Sequence, residues 1–251
     1  MDLISTSSVV SSLAKSFASN VIEKWTRHRA ESFFDEYQKK IATAKQLYDN
    51  NENLAKEIDS IISTELGSEV VFDAYRMVSL AKSKTIGPRI IGLLTAEICL
   101  ESRIANQFEE MAFSVAESLN DFQLLNAAKT IEEWIKYSES NKHSNDQSGS
   151  AYFLNKDVVY VIDNYTIDTT FGDSESIDLN IDNLDEEFGI GLQKFKELGL
   201  LKASISQSSK SYSEDSERHI DYDGTEQTTK KTLSFPLKYR RILSLITQMS
   251  H

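Results

Sequence analysis

The distribution of glycine and proline is the feature that most limits how this chain can fold. Residues 1–66 contain neither residue, and neither do residues 93–148, whereas six of the nine glycines lie at or after Gly149. Because glycine and proline interrupt helices, their absence over such lengths predicts long helices in the first half of the chain. Their return after residue 148 predicts shorter elements and more turns in the second half.

A polar run separates these two halves. Residues 138–150 contain no aliphatic side chain, which is typical of a solvated linker. We therefore predict an all-helical domain over residues 1–140, a polar linker over 141–150 and an α+β domain over 151–251. The predicted fold class is mainly α, with an N-terminal multi-helix domain followed by a small α+β domain.

Apolar residues recur at helical spacing through the first domain and predict five or six helices. Gly67 is the predicted end of the first series, and Ser68 is the candidate cap of the next helix. Pro88 suits a first helical turn, and from it we predict one helix that runs to about Leu119. Asp121 is the predicted cap of the last helix of this domain.

The same periodicity predicts which side chains face the core. After Ser68 they are Val71, Phe72, Tyr75, Val78 and Leu80. From Pro88 onward they are Ile90, Ile91, Leu94, Ile98, Ile104, Phe108, Met111, Val115 and Leu119. In the last helix they are Leu124, Leu125, Ala128, Ile131, Trp134 and Ile135.

The second domain mixes strand and helix patterns. Residues 158–162 are β-branched and aromatic, so they fit a strand, but Asn155 as a cap would equally start a short helix there. A helix is predicted over residues 184–198, with Gly199 in the left-handed conformation that ends many helices. Strands are predicted over 200–206 and 228–235, with a polar loop over 207–227 between them, and Pro236 opens a terminal helix.

This order of elements resembles a known fold. The run Phe195-Lys196-Glu197-Leu198-Gly199-Leu200-Leu201, followed by strand, loop, strand and helix, is similar to the recognition helix and wing of a winged-helix domain. Behind a helical domain, it also resembles bacterial abortive-infection proteins of the alpha type. The first resemblance implies a winged-helix-like second domain, and the second implies a role in phage defence.

The charges of the chain limit its partners. The net charge is −12, from 27 basic and 39 acidic residues, which argues against general binding to phosphate backbones. Residues 157–187 hold ten acidic side chains and no lysine or arginine. Within them, Asp178-x-Asn180-x-Asp182 begins like a calcium-binding EF-hand loop, but three later positions lack the required residue types. A solvated acidic connection is the favoured interpretation, and partner binding is the alternative.

A set of basic residues near the C-terminus has the opposite sign. In a winged-helix domain, these basic residues would contact nucleic acid. However, the presumed recognition helix begins with three acidic residues that would repel phosphates. The favoured interpretation is that they face acidic residues of the same domain or of a second copy. The candidate contacts with a partner or with nucleic acid are Lys194, Lys196, Lys230, Lys231, Lys238, Arg240 and Arg241.

The N-terminal residues offer a second candidate surface. Serine and threonine side chains surround an apolar helix face formed by Val10, Leu13, Phe17 and Val21. Such a helix would dock on its own domain, on a partner chain or on a membrane surface. The polar face has few charges, so attraction to anionic lipid would be feeble.

Residues typical of catalytic and metal sites are scattered. The sequence has no G-x-S-x-G, Walker A, G-x-G-x-x-G or H-E-x-x-H motif, and its four histidines are far apart. The single cysteine, Cys99, lies between Ile98 and Leu100 and is predicted to be a small core residue. We therefore predict no catalytic, cofactor-binding or metal site.

Together these patterns predict a non-enzymatic interaction or assembly protein that binds a protein partner or itself. The N-terminus has no signal-peptide pattern and no apolar run reaches about 18 residues, so we expect a cytoplasmic location. A DNA-binding transcriptional regulator is the first alternative. A membrane-associated phage-defence effector is the second.

Overall fold

The computed structural model describes residues 26–47, 51–140, 150–168, 188–214 and 222–251. Helices dominate, and a small antiparallel sheet of four strands lies in the C-terminal part of the sequence, which confirms the predicted fold class. The chain divides into two compact units. The helical unit is Met1–Leu125 with Leu245–His251, and the sheet unit is Asn126–Ser244.

Among the described residues, the helical unit contains five helices and the ends of two others. The helices are α1 (residues 26–45), α2 (Asn51–Ile62), α3 (Glu65–Leu80), α4 (Ile86–Leu100) and α5 (Gln107–Ser118). The first residues of α6 (Asp121–Glu139) and the last residues of the C-terminal helix belong to the same unit.

Helix α4 is the centre of this unit because it is apolar on nearly every side. Most of its residues are buried, from Ile86 to Cys99, and a helix of that composition is stable only inside a core. Gly92 lets α1 approach closely, since a Cβ at this position would lie 2.2 Å from the carbonyl oxygen of Phe33. Pro88 lies in the first turn of α4, as its sequence pattern predicts.

The prediction of one helix from Pro88 to Leu119 is wrong. The chain leaves the helix at residues 101–106, where Ser102 has a φ of 49°, and α5 then starts with Asn106 as its cap. Asn106 accepts a hydrogen bond from the amide of Glu109, and the Glu109 carboxylate accepts one from the amide of Asn106. This reciprocal capping box starts a new helix, although the hydrophobic periodicity alone suggested one continuous helix.

The predicted core face of α3 is also partly wrong. Phe72 and Leu80 are 69% and 66% exposed, and Tyr75 is exposed too, although Val78 is buried as predicted. The inward stripe of α3 contains smaller side chains, Gly67 and Ala74, which permit closer helix packing. Leu125 and Ile104, predicted to be buried, are exposed as well.

The start of α3 also differs from the prediction, because the chain turns tightly from α2 into α3. Gly67 lies inside the helix and does not end one, and Thr64, not Ser68, is the cap. The Thr64 hydroxyl accepts a hydrogen bond of 3.0 Å from the amide of Gly67. A Cβ on Gly67 would lie 2.2 Å from the carbonyl oxygen of Ile61, so glycine permits the tight turn from α2.

The sheet unit contains four antiparallel strands in the order β1-β2-β4-β3. They are β1 (Ser150–Asn155), β2 (Val158–Asp168), β3 (Lys202–Glu214) and β4 (Tyr222–Pro236). Residues 158–162, for which strand and helix both stayed open, form part of strand β2. The unit also contains α7 (Ile190–Glu197), a 3-10 turn (Leu237–Tyr239), the rest of α6 and the start of α8 (Arg240–Met249).

One face of the sheet is buried. Val159 pairs with Phe235 and Val161 pairs with Leu233 across β2 and β4, and all four side chains lie in the core. The alternation of side chains along each strand places these residues on the same face. Asp163 and Lys231 are the next pair on that face, and both are buried.

The loop predicted over residues 207–227 is much shorter in the structure. Strands β3 and β4 pair from Lys202 with Ser234 to Glu214 with Tyr222, so the polar residues of the supposed loop form a long hairpin. Backbone hydrogen bonds between the two strands form this ladder. The polar side chains along it carry no hydrophobic alternation from which a strand could be predicted.

The helix predicted over residues 184–198 is not continuous. Gly189 has a φ of 83° and separates Phe188 from α7, and residues 184–187 lie outside the described residues. Its end is confirmed. Gly199 has a φ of 79°, and the amide of Leu200 donates to the carbonyl of Phe195, which is the Schellman pattern.

No helix among these described residues has both the length and the apolar composition needed to cross a membrane.

Candidate functional site

The helical unit contains a cavity of about 400 Å³ between α3, α4 and α5, which we call the α3–α5 groove. Val70, Ala74 and Met77 line it from α3, Ile98 from α4 and Phe113 from α5. The floor and walls of the groove are therefore mainly apolar. A cavity of this size falls in the range of sites that hold a ligand or a partner side chain.

The lining of α3 follows directly from its sequence. Val70, Ala74 and Met77 are spaced by four and three residues, so they form one stripe along the helix. The lining runs from Leu66 to Met77, which spans about 16 Å at 1.5 Å per residue. The groove is long enough to hold about three turns of a helix.

The break between α4 and α5 positions the end of the groove. The guanidinium of Arg103 donates two hydrogen bonds of 2.6 Å to the carboxylate oxygens of Glu109, whose side chain is only 1% exposed. These hydrogen bonds, and a further one to Glu101, raise the pKa of Arg103 above its ordinary value. The bidentate pair fixes the segment between Arg103 and Glu109, which carries Ile104 and Ala105 into the groove lining.

Large apolar side chains are exposed beside the groove. Ile104, which lines it, is 73% exposed. Leu80 is 66% exposed and lies one helical turn beyond the lining residues Arg76 and Met77. Exposed apolar side chains next to an apolar cavity are typical of a protein-binding surface.

The edges of the groove are acidic. Glu69 and Asp73 lie on α3, and Glu110 and Glu117 lie on α5. Arg76 is the cation among the described lining residues, and it forms an ion pair of 3.5 Å with Asp73. Four carboxylates against one guanidinium give this surface a negative charge.

The groove offers carboxylates, hydroxyls and one guanidinium as the polar groups of its described lining. Its described lining contains no histidine or cysteine, and the hydroxyl of Thr95 donates to the carbonyl of Ile91 within α4. Across the described part of the chain, no three histidine, cysteine, aspartate or glutamate side chains cluster so that they could hold a metal ion. The arrangement is suited to binding an apolar surface.

A second cavity of about 320 Å³ lies between α2, α3 and the end of α4. Lys45 and Glu57 form an ion pair of 2.7 Å at its edge, and Cys99 lines it. Cys99 is buried, as predicted, and burial raises the pKa of its thiol. A protonated thiol is a poor nucleophile.

The seven basic residues predicted as contacts are distributed over α7, β4, the 3-10 turn and α8. Several of them already have partners within the sheet unit. Lys194 pairs with Glu197, and Arg240 pairs with Glu132 at 3.5 Å and with Glu139 at 3.0 Å.

The remaining basic residues differ in exposure. Lys231 is only 4% exposed, and its ammonium lies 5.5 Å from the centre of the Phe188 ring. Lys238 is exposed and lies over the ring of Tyr239 at 4.7 Å. Arg241 is exposed, and Lys196 and Lys230 are half-buried.

Several predicted features lie outside the described residues. They are the apolar face Val10, Leu13, Phe17 and Val21, the polar linker apart from Ser150, and residues 169–187 of the acidic segment, which include the calcium-like run from Asp178 to Asp182.

Sequence reasoning missed the groove itself. The pattern Asn106-x-x-Glu109 was a readable sign that a new helix starts there, and this break creates the end of the groove. No local pattern shows that α3 and α5 lie on either side of Ile98.

Comparison with known proteins gave no relative: neither a protein-family model, nor a curated protein, nor a solved structure matches the chain.

Proposed function

We propose that this chain is a non-enzymatic interaction protein that binds a segment of another protein in the α3–α5 groove. The observation that carries the proposal is the apolar cavity of about 400 Å³ with Ile104 exposed at its side. Burying exposed apolar surface supplies most of the free energy of such binding. Leu80, one turn farther along α3, extends the apolar surface beyond the cavity.

The polar groups of the groove favour a protein segment over a small metabolite. Metabolite sites place several polar groups around one buried point, which fixes the orientation of the ligand. Here the charged groups, such as Glu69 and Glu117, belong to an elongated acidic edge beside an apolar floor. An elongated partner with one apolar face suits this arrangement better.

The contacts of the basic residues support protein binding over nucleic-acid binding. Lys231 is buried and Arg240 pairs with two carboxylates, so neither offers a free cation to a phosphate. A DNA-binding role stays the alternative proposal because of the resemblance to a winged helix. The resemblance to abortive-infection proteins would place either function in phage defence, in the cytoplasm or at a membrane surface.

An amphipathic peptide tests the proposal. We expect a helical peptide of about 18 residues with a leucine face and glutamine on its other positions to bind the full chain, as measured by fluorescence anisotropy. Ile104→Gln and Met77→Gln should each weaken this binding about tenfold, which corresponds to about 1.4 kcal/mol of lost apolar contact.

Phe72→Gln is the matched control, since Phe72 is an exposed apolar residue of α3 that does not line the groove. It should leave the affinity unchanged. Equal affinities for the parent chain and for the Ile104→Gln variant would contradict the proposal, and so would the absence of any binding.

A further inference from the structure

The edges of the α3–α5 groove carry charge on both of its walls. Glu69 and Asp73 are four residues apart on α3 and are therefore about 6 Å apart along the helix axis. Glu110 and Glu117 are seven residues apart on α5, or about 10 Å. Apolar side chains, including Ile98, lie between the two acidic rows.

The walls restrict the conformation of an occupant. Both walls are α-helices, whose backbone groups are already hydrogen-bonded along α3 and α5. An extended segment would therefore find no strand edge to pair with and would leave its own amides and carbonyls without partners in the groove. A helix satisfies its backbone internally and presents only side chains.

We infer that the occupant of the groove is a cationic amphipathic α-helix of a partner protein, about three turns long. This inference rests on the proposed function and names the partner's chemistry. Apolar residues at helical spacing would contact Val70, Met77 and Phe113. Lysine or arginine residues on both flanks would meet the carboxylates of α3 and α5.

The charge pattern gives the groove selectivity. An acidic helix with the same apolar face would meet like charges on both walls, which costs affinity. Asp73 pairs with Arg76, the cation among the described lining residues, and three further carboxylates line the groove, Glu69, Glu110 and Glu117. The net negative charge of −12 on the whole chain attracts cationic partners in addition.

Three peptides with one shared leucine face test this inference on the full chain. Their flanking positions carry lysine, glutamine or glutamate. At about 50 mM salt we expect the lysine peptide to bind at least about tenfold more tightly than the glutamine peptide, and the ratio should shrink at about 500 mM salt. The glutamate peptide should bind more weakly than the glutamine peptide.

Neutral variants locate the charges responsible. The double variant Glu110→Gln with Glu117→Gln should reduce the ratio between the affinities for the lysine peptide and the glutamine peptide. The control, Asp35→Asn with Glu133→Gln, removes two exposed carboxylates elsewhere and alters the net charge equally. It should preserve the preference apart from a small long-range effect.

The possible outcomes distinguish a failure of the inference from a failure of the proposed function. Equal, salt-independent affinities for the lysine and glutamine peptides, both weakened by Ile104→Gln, would overturn the inference and leave the proposed function intact. Absence of binding by all three peptides would overturn both. Self-association of the chain that Ile104→Gln abolishes would show that a second copy occupies the groove, and this would also overturn the inference.

Discussion

The carboxylate of Asp121, at the start of α6, accepts a hydrogen bond of 3.0 Å from the backbone amide of Ile86, at the start of α4. The same carboxylate accepts hydrogen bonds from the hydroxyl of Ser83 and from the amides of Lys84 and Thr85. Asp121 therefore caps a helix 35 residues before it in the sequence. Its own helix is capped by Asn120, whose side chain accepts from the amide of Gln123 at 2.9 Å.

Asp121→Ala should destabilise the chain more than a usual surface substitution. Four donors lose their common acceptor, and the partial positive charge at the start of α4 loses its counter-charge. We expect a loss of about 1–2 kcal/mol in the free energy of unfolding, measured by urea denaturation. Asp35→Asn, an exposed carboxylate on α1, is the control and should change stability by less than about 0.5 kcal/mol. Equal stabilities for the two variants would show that the cap contributes nothing.

Glu109→Gln should weaken both the fold and the groove. The substitution removes the charge that receives the bidentate hydrogen bonds of Arg103, and we expect a loss of about 1–3 kcal/mol. Peptide binding should fall as well, because the segment that carries Ile104 is no longer fixed. Thermal unfolding and anisotropy give the two measurements.

Glu110→Gln is the matched control for the stability measurement, since Glu110 is the exposed neighbour of Glu109 on the same helix. Its melting temperature should stay close to that of the parent chain. An equal loss of stability in both variants would contradict a specific role for the pair with Arg103.

Cys99 should react slowly with thiol reagents in the folded chain. Burial raises the pKa of its thiol, so less thiolate forms at a given pH than in the unfolded chain. The contribution of this thiol to the free energy of unfolding is therefore complete below the ordinary thiol pKa of about 8.5. It is lost as the pH rises above that value.

The absence of a second cysteine makes this measurement simple, because all labelling reports on Cys99. We expect labelling by a disulfide reagent at about pH 8 to be slow in buffer and fast in urea. Stability should decline as the pH rises above the ordinary thiol pKa of about 8.5, and Cys99→Ala should reduce that decline. Rapid labelling of the folded chain would contradict the buried position.

Lys231→Ala should destabilise the sheet unit. Lys231 lies opposite Asp163 on neighbouring strands, both side chains are buried, and the ammonium contacts the Phe188 ring. Removal of the ammonium loses its contact with the Phe188 ring and a positive charge on the same sheet face as the Asp163 carboxylate, which we expect to cost about 1–3 kcal/mol. Lys230→Ala, at the adjacent position on the other face of β4, should cost less than about 1 kcal/mol.

A double substitution separates a charge effect from a packing effect. Asp163→Leu with Lys231→Met removes both charges and keeps apolar volume, so it should recover most of the stability lost in Lys231→Ala. No recovery would show that the aliphatic contacts of Lys231, and not its charge, stabilise the sheet.

Sequence patterns correctly predicted those helices, strands and turns whose structure depends on residues close together in the sequence. The segments without glycine or proline are largely helical where the structure describes them, and Gly199 ends α7 in the left-handed conformation that only glycine adopts easily. The β-branched run after Asp157 became strand β2. In each of these cases the residues that decide the structure are neighbours in the sequence.

The wrong predictions concern features that depend on contacts between residues far apart in the sequence. Helix α3 has two apolar stripes, one with Ala74 and Val78 and one with Phe72 and Tyr75, and periodicity alone does not show which faces the core. The cap provided by Asp121 was assigned to its own helix, because the capping rule considers only nearby residues. The groove depends on the placement of three helices, and this placement is not encoded in any one segment.

Photo-crosslinking tests most directly whether the α3–α5 groove is the binding surface. A benzophenone amino acid replaces one leucine on the apolar face of the lysine-flanked peptide, and mass spectrometry identifies the residues of the full chain that it attaches to. We predict attachment at Met77, Ile104 or neighbouring groove residues, and loss of attachment in the Ile104→Gln variant but not in the Phe72→Gln variant. Attachment mainly to the sheet unit, or equal attachment in both variants, would contradict the account.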